Sequence, residues 1–194
     1  MNGGTVTIDS WAQGNVYTGQ NQNGEFIQSS IASVQKPASV LDSAGRIFGR
    51  THPQYASYST DQFVSVKALG AKGDGNTDDT EAIQTILNAY AGCKIIFFDA
   101  GTYIVTSTIT IPAGTQIVGE VWSTIMGSGS FFQDYNNPEV VVRVGEAGSE
   151  GVVEITDMIF TARGPAAGAI IVEWNVHDLD GQQGAAGAWD THIM

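Results

Sequence analysis

From Lys94 onward the chain is a succession of very short apolar strands, and this pattern constrains its fold more than any other feature. The strands are Ile95-Ile96-Phe97-Phe98, Tyr103-Ile104-Val105, Ile109-Thr110-Ile111, Gln116-Ile117-Val118, Val140-Val141-Val142-Arg143-Val144, Val152-Val153-Glu154-Ile155, Met158-Ile159-Phe160 and Ile170-Ile171-Val172-Glu173. Gly-containing turns separate many of them, as at Asp99-Ala100-Gly101 and Pro112-Ala113-Gly114. After residue 94 no Asn-Gly or Asp-Gly stands between two alternating runs, so the usual hairpin signal is missing. Short strands that do not turn back on one another stack in parallel as a solenoid. At roughly 20–30 residues per coil, residues 94–194 make about four coils. A β-sandwich is the competing architecture.

Just upstream lies the one convincing helix. Ala82, Ile83, Ile86, Leu87 and Tyr90 form a single apolar stripe. Asp78 is expected as its N-cap, with Glu81 completing a capping box, and Gly92 ends it. The expectation is a helix over about 79–91 that closes the open N-terminal end of the solenoid, because a stacked core otherwise exposes its first coil. Phe63-Val64-Ser65-Val66 reads as a short strand before it. Residues 1–61 are more polar and broken by turns, with Thr5-Val6-Thr7-Ile8 alternating like a strand and 14–24 reading as loop. Residues 33–61 read as a linker that packs onto something, because Phe48, Tyr55 and Tyr58 are too apolar to float free.

Composition excludes several classes. Eight basic against 20 acidic residues leave a net charge of −12, which repels phosphate backbones and anionic membrane surfaces. With 42% hydrophobic and only 14% charged residues, the chain has material for a core and is not intrinsically disordered. No apolar run approaches the ~18 residues of a membrane helix. The N-terminus lacks the basic and apolar regions of a signal peptide. Cys93 is the single cysteine, so no disulfide forms within the chain; it reads as a small buried residue or as one whose partner lies elsewhere.

The stretch from Val66 to Gln84, VKALGAKGDGNTDDTEAIQ, resembles the N-terminal cap of pectin-lyase-like right-handed β-helices. That cap identifies a fold and not a reaction. The flanks Ile8–Tyr17, Gly45–Tyr55, Cys93–Gly101, Trp122–Gly127 and Val172–Asp178 resemble fungal exo-β-1,3-glucanases of glycoside hydrolase family 55. The resemblance covers nearly the whole chain. It implies an all-β, right-handed parallel β-helix with an N-terminal capping α-helix, and tandem β-helices with a substrate cleft between them. By that match residues 1–30 are the tail of a first β-helix, 31–61 the linker, and 62–194 the opening coils of a second, incomplete one. The implied parent is secreted, monomeric and acts on β-1,3-glucan from the chain end with inversion. Its catalytic Glu falls in later coils, past Met194. The chain therefore reads as an inactive fragment, with no catalytic, cofactor-binding or metal-ligating residue assigned. A polygalacturonase- or rhamnogalacturonase-like hydrolase and a non-catalytic glycan-binding β-helix are the alternatives.

The chemistry-bearing residues have plain structural readings. Asp74, Asn76 and Asp78 sit at positions 1, 3 and 5 of a calcium loop, but Asp79 replaces its glycine and Thr85 its final glutamate. Asn76-Thr77-Asp78-Asp79 is superficially similar to polygalacturonase carboxylates, yet adjacent acids in a helix cap cannot hold a water between them at the separation inversion needs. Glu154 and Glu173 lie at strand positions and suit a solvated or ion-paired face, with Arg143 or Arg163 as partners, acid/base work being the other use of two carboxylates there. Arg46 and Arg50 suit linker anchors to carbonyls or carboxylates. Trp122, Trp174 and Trp189 suit packing, with sugar stacking the other use. His52, His177 and His192 show no metal spacing.

Overall fold

The computed structural model describes residues 7–19 and 22–194. The chain divides into two compact units, Met1–Gly49 and Arg50–Met194. In the first, β1 (Trp11–Val16) pairs antiparallel with β2 (Glu25–Ser30), Trp11 opposite Ser30 and Val16 opposite Glu25. Of the expected strand at 5–8, Thr5 and Val6 lie outside the described residues, and Thr7 and Ile8 carry no strand. Further on, the Asp42 carboxylate accepts from the Ala44 and Arg46 amides and pairs with the Arg46 guanidinium at 2.8 Å. Arg46 is thus a local turn anchor.

The second unit is a right-handed parallel β-helix. Its strands are β3 (Phe63–Ser65), β4 (Asp74–Asp78), β5 (Ile95–Phe98), β6 (Gly101–Val105), β7 (Ile109–Ile111), β8 (Gln116–Gly127), β9 (Glu139–Val144), β10 (Val153–Ala162), β11 (Ala169–Trp174), β12 (Ala186–Trp189) and β13 (His192–Ile193). Every pairing among them is parallel. The first limb of the larger sheet stacks β3, β5, the start of β8, the start of β10 and β12. After a corner, the second limb stacks β4, β6 and the ends of β8 and β10, with β13 last. A separate sheet stacks β7, β9 and β11. The solenoid begins at Phe63 and not near residue 94, because β3 and β4 already form two sides of an opening coil. The short run expected at 116–118 is the start of one long bent strand, β8, and those at 152–155 and 158–160 belong to another, β10.

Stacking puts like on like. Ile96, Ile117 and Ile155 occupy one inward column, and Tyr103, Ile125 and Phe160 another, all buried. Such columns give each side chain close-packed neighbours above and below. The corner between limbs varies from coil to coil, taking 66–73, 99–100 and 119–122 before β10. Asp157 alone makes it in β10, with φ 58, and Val121 (φ 64) and Asp190 (φ 49) take the same left-handed conformation in neighbouring coils. The connectors from the second limb to the separate sheet vary, running over 106–108, 128–138 and 163–168.

The helix α1 (Thr80–Tyr90) stands where the first coil would have its third strand, against β7 and β5. Ile83, Ile86 and Leu87 are buried and Tyr90 half-buried, as the stripe requires. The Gln84 amide donates to the Thr110 carbonyl at 3.0 Å and accepts from the Thr110 amide at 2.7 Å, so one helical side chain satisfies the open edge of β7. The N-cap is Asp79 rather than Asp78, and the capping box does not form. The buried Asp79 carboxylate instead accepts from the Lys72 and Gly73 amides at 2.7 and 2.9 Å. Cys93, in the turn after α1, is exposed and not buried.

Candidate functional site

Residues 50–58 lie across the outer face of the first limb, and among the described residues three of the unit's four ion pairs fall in this contact. Along β10 the side chains alternate, so Val153 and Ile155 enter the core while Glu154 points outward. Glu154 is nevertheless buried, because residues 50–58 cover it. The Arg50 guanidinium pairs with its Oε1 and also donates to the Gly184 carbonyl. Its Oε2 accepts from the Tyr55 hydroxyl at 2.8 Å and from the Gln116 amide at 2.7 Å. Burial and the bond to Glu154 push the Tyr55 phenol well above its ordinary range. Arg50 also lies over the Trp189 ring, 5.3 Å from its centroid, and its carbonyl accepts from Trp189 Nε1 at 3.1 Å. Arg50 is an anchor, as its sequence suggests, and Glu154 takes it as partner instead of Arg143 or Arg163.

Glu173 is elsewhere, on the separate sheet, directly opposite Arg143 in the β9–β11 register. Its carboxylate accepts from Asn175 and from Arg143, both at 2.8 Å, and these two contacts hold it below the usual carboxylate range. Glu154 and Glu173 thus occupy different sheets, each satisfied by its own cation. A leaving oxygen needs a carboxylic acid still protonated near neutral pH. Glu173 is shifted the opposite way. Arg163 donates to the Gly75 carbonyl at 3.1 Å.

The acids before α1 are structural. Asp74 accepts from the Asn76 amide and from the Thr77 amide and hydroxyl, which lower its pKa to about 2. Asp78 bonds Thr80 and Thr106, which hold it low despite partial burial. Together with Gln84 and Thr108 they line an open polar cleft of about 520 Å³. Among the tryptophans, Trp122 is 73% exposed and borders an apolar hollow of about 300 Å³ with Val121, Ile159, His192 and Met194.

One cluster has no signature in the sequence. His52 Nε2 lies 3.2 Å from Asp157 Oδ2 and 3.8 Å from Asp190 Oδ2, and its Nδ1 is 2.7 Å from the Pro53 carbonyl. Partial burial disfavours the imidazolium, but the Asp157 and Pro53 hydrogen bonds and the two carboxylate charges outweigh it and raise the pKa. More than a hundred residues separate His52 from Asp157, so no local spacing could reveal it. The pair Asp157 and Asp190 was detectable only through the coil register, which aligns Thr156 with Trp189.

Residues 63–151 match the rhamnogalacturonase A/epimerase, pectate lyase-like family. Across 86% of its length the chain is 45% identical to the "Probable glucan endo-1,3-beta-glucosidase" of Arthroderma benhamiae, covering 19% of that protein. Across 98% it is 39% identical to the "Glucan 1,3-beta-glucosidase" of Cochliobolus carbonum, covering 24% of it. The chain resembles the glucan 1,3-beta-glucosidases. It is also 41% identical, over 98% of its length, to the "Non-secreted LysM effector LysM19" of Penicillium expansum, covering 15% of that protein. It thus spans less than a quarter of the length of these glucan 1,3-beta-glucosidase relatives. Among the described residues no helix is long and apolar enough to cross a membrane.

Proposed function

We propose that this chain forms the linker and opening coils of the second β-helix of a secreted, monomeric exo-β-1,3-glucanase acting by inversion, and that these residues build scaffold without supplying the catalytic acid. The observation that carries the reading is the identity, over most of the chain, to a "Probable glucan endo-1,3-beta-glucosidase" (45%) and a "Glucan 1,3-beta-glucosidase" (39%), the exo mode following the family resemblance. On this reading residues 1–30 end a preceding β-helix, 31–61 link, and 62–194 open the next. The states of the two strand glutamates agree with it. Inversion needs one protonated and one ionised carboxyl about 6.5–9.5 Å apart. Glu154 is locked by Arg50, Tyr55 and Gln116, and Glu173 is held ionised on another sheet.

The test is glucose release from laminarin by the 194-residue chain, beside a full-length homologue. The chain alone should show no turnover, since loss of a general acid typically removes about 10²–10⁴-fold and loss of the positioning walls most of the rest. Turnover within about tenfold of the homologue would overturn the scaffold reading and return attention to Glu154 and Glu173. A second reading, glycan binding without catalysis, is favoured by the exposed ring of Trp122. Co-sedimentation with insoluble β-1,3-glucan, lost in Trp122→Ala, is its expected signature.

A further inference from the structure

We propose that His52, Asp157 and Asp190 form a binding site for one divalent transition-metal ion, of which Zn²⁺ is the best match. The three residues come from the segment covering the first limb and from the corners of two successive coils. One ligand atom of each lies within 4.8 Å of the others. An ion bonded at about 2.0–2.2 Å to nitrogen and oxygen sets its ligands about 3–3.6 Å from one another. The distances of 3.2 and 3.8 Å from Nε2 to the two carboxylates need a shift of only tenths of an ångström to meet that spacing.

The orientation of the imidazole is the stronger argument. A carbonyl can only accept, so the 2.7 Å contact of Nδ1 with the Pro53 carbonyl places a proton on Nδ1. The contact of Nδ1 with the Gln54 amide is longer, at 3.4 Å, and that amide donates to the His52 carbonyl at 3.2 Å. In the neutral ring the lone pair then resides on Nε2, which faces two carboxylate oxygens. A ring nitrogen set against two carboxylate oxygens is satisfied by a cation held between them, whether a proton on Nε2 or, where the proton is displaced, a metal ion. An N–H donated to a backbone carbonyl is also the usual outer partner of a metal-bound histidine.

The carboxylates make a second argument. Thr156 pairs with Trp189 in the β10–β12 register, so Asp157 and Asp190 follow at equivalent corner positions one coil apart. Like charges stacked at one inter-strand spacing repel. Both are held there by left-handed backbone, and among the described residues His52 is the hydrogen-bond or ion-pair partner of each. Two carboxylates balance a 2+ charge. The imidazole nitrogen selects against Ca²⁺ and Mg²⁺, which prefer oxygen alone. A bound ion would cross-link residue 52 to coils more than a hundred residues later.

The test is calorimetric titration of the 194-residue chain with Zn²⁺ at about pH 8, where the ligands are deprotonated. Asp190→Asn and His52→Gln are run beside it. The Asp190 side chain is 70% exposed, so its variant should keep the fold. One equivalent should bind to the parent chain, with affinity lowered at least about tenfold in each variant. Zn²⁺ should also raise the melting temperature of the parent and not that of Asp190→Asn. Absence of stoichiometric binding, or equal binding by Asp190→Asn, would overturn the site. Equal binding would put the ion at His177, His192 or Cys93. A failure here leaves the glucanase reading untouched, because laminarin hydrolysis is a separate measurement.

Discussion

Among the described residues, Arg50 is the cation paired with Glu154, a carboxylate that residues 50–58 remove from water. Replacing it with Ala strands Glu154, whose side chain is 6% exposed. Arg50 itself is one-third exposed, so the loss should fall at or below the usual range for a broken buried pair, about 2–4 kcal/mol, read from urea unfolding of the chain. A second residue-scale test concerns close approach. A Cβ added at Gly119 would stand 2.2 Å from the Asp157 carbonyl of the next coil, a backbone atom that cannot swing away. Gly119→Ala should therefore destabilise by about 1–3 kcal/mol, seen as a lower melting temperature. Asp74 gives the pH dependence. Its pKa is lowered from 3.8 to about 2 in the folded chain, so its contribution is full above the unfolded value and fades as pH falls from about 4 to about 2. Denaturant midpoints should drop across that window, and Asp74→Asn should flatten the drop.

At the scale of elements, α1 is both a lid on the core and a substitute strand. Leu87→Ala removes a fully buried side chain from the stripe and should cost about 2–5 kcal/mol. Gln84→Leu keeps the volume but leaves the Thr110 amide and carbonyl at an open edge, with an expected loss of about 1–3 kcal/mol by the same measurement. The helix and most strands were legible in the sequence because their signals are local: a stripe at helical period and short apolar runs. The starting point of the solenoid was not. β4 is Asp-Gly-Asn-Thr-Asp, a turn composition that becomes strand only because β6 lies beside it. The N-cap was misassigned by one residue because Asp79 spends its carboxylate on the Lys72 and Gly73 amides, a choice set by the path of the 67–73 loop. At the candidate site the pairing of Arg143 with Glu173 and the anchoring role of Arg50 were readable as residue types. The partners of Arg50 and His52 were not, since both contacts depend on how residues 50–58 drape over coils formed a hundred residues later.

At the scale of the molecule, the hydrophobic cluster is drawn from residues 64–186, within the second unit. Its columns run unbroken from α1 to β11, so the unit should melt in one cooperative transition, as contiguous coils coupled through their interfaces do. A chain beginning at Arg50 should keep this transition and its β-type circular dichroism. A multiphasic melt would show that the coils are only weakly coupled.

The contrast between the stacked strands and the connections that join them governs how such a chain can diverge. The corner between limbs is a single left-handed residue wedged over Gly119 in β10, but it takes 119–122 in β8, 99–100 between β5 and β6 and 66–73 between β3 and β4. The connectors at 106–108, 128–138 and 163–168 already differ in length without disturbing the register of the strands they join. New loops, and with them new specificities, can be grafted at any of these connections by insertion, while the stacked strands, whose inward columns must stay in register, can change only by substitution. Lineages built on this scaffold should therefore record their history as gaps at the connections and as point changes along the strands.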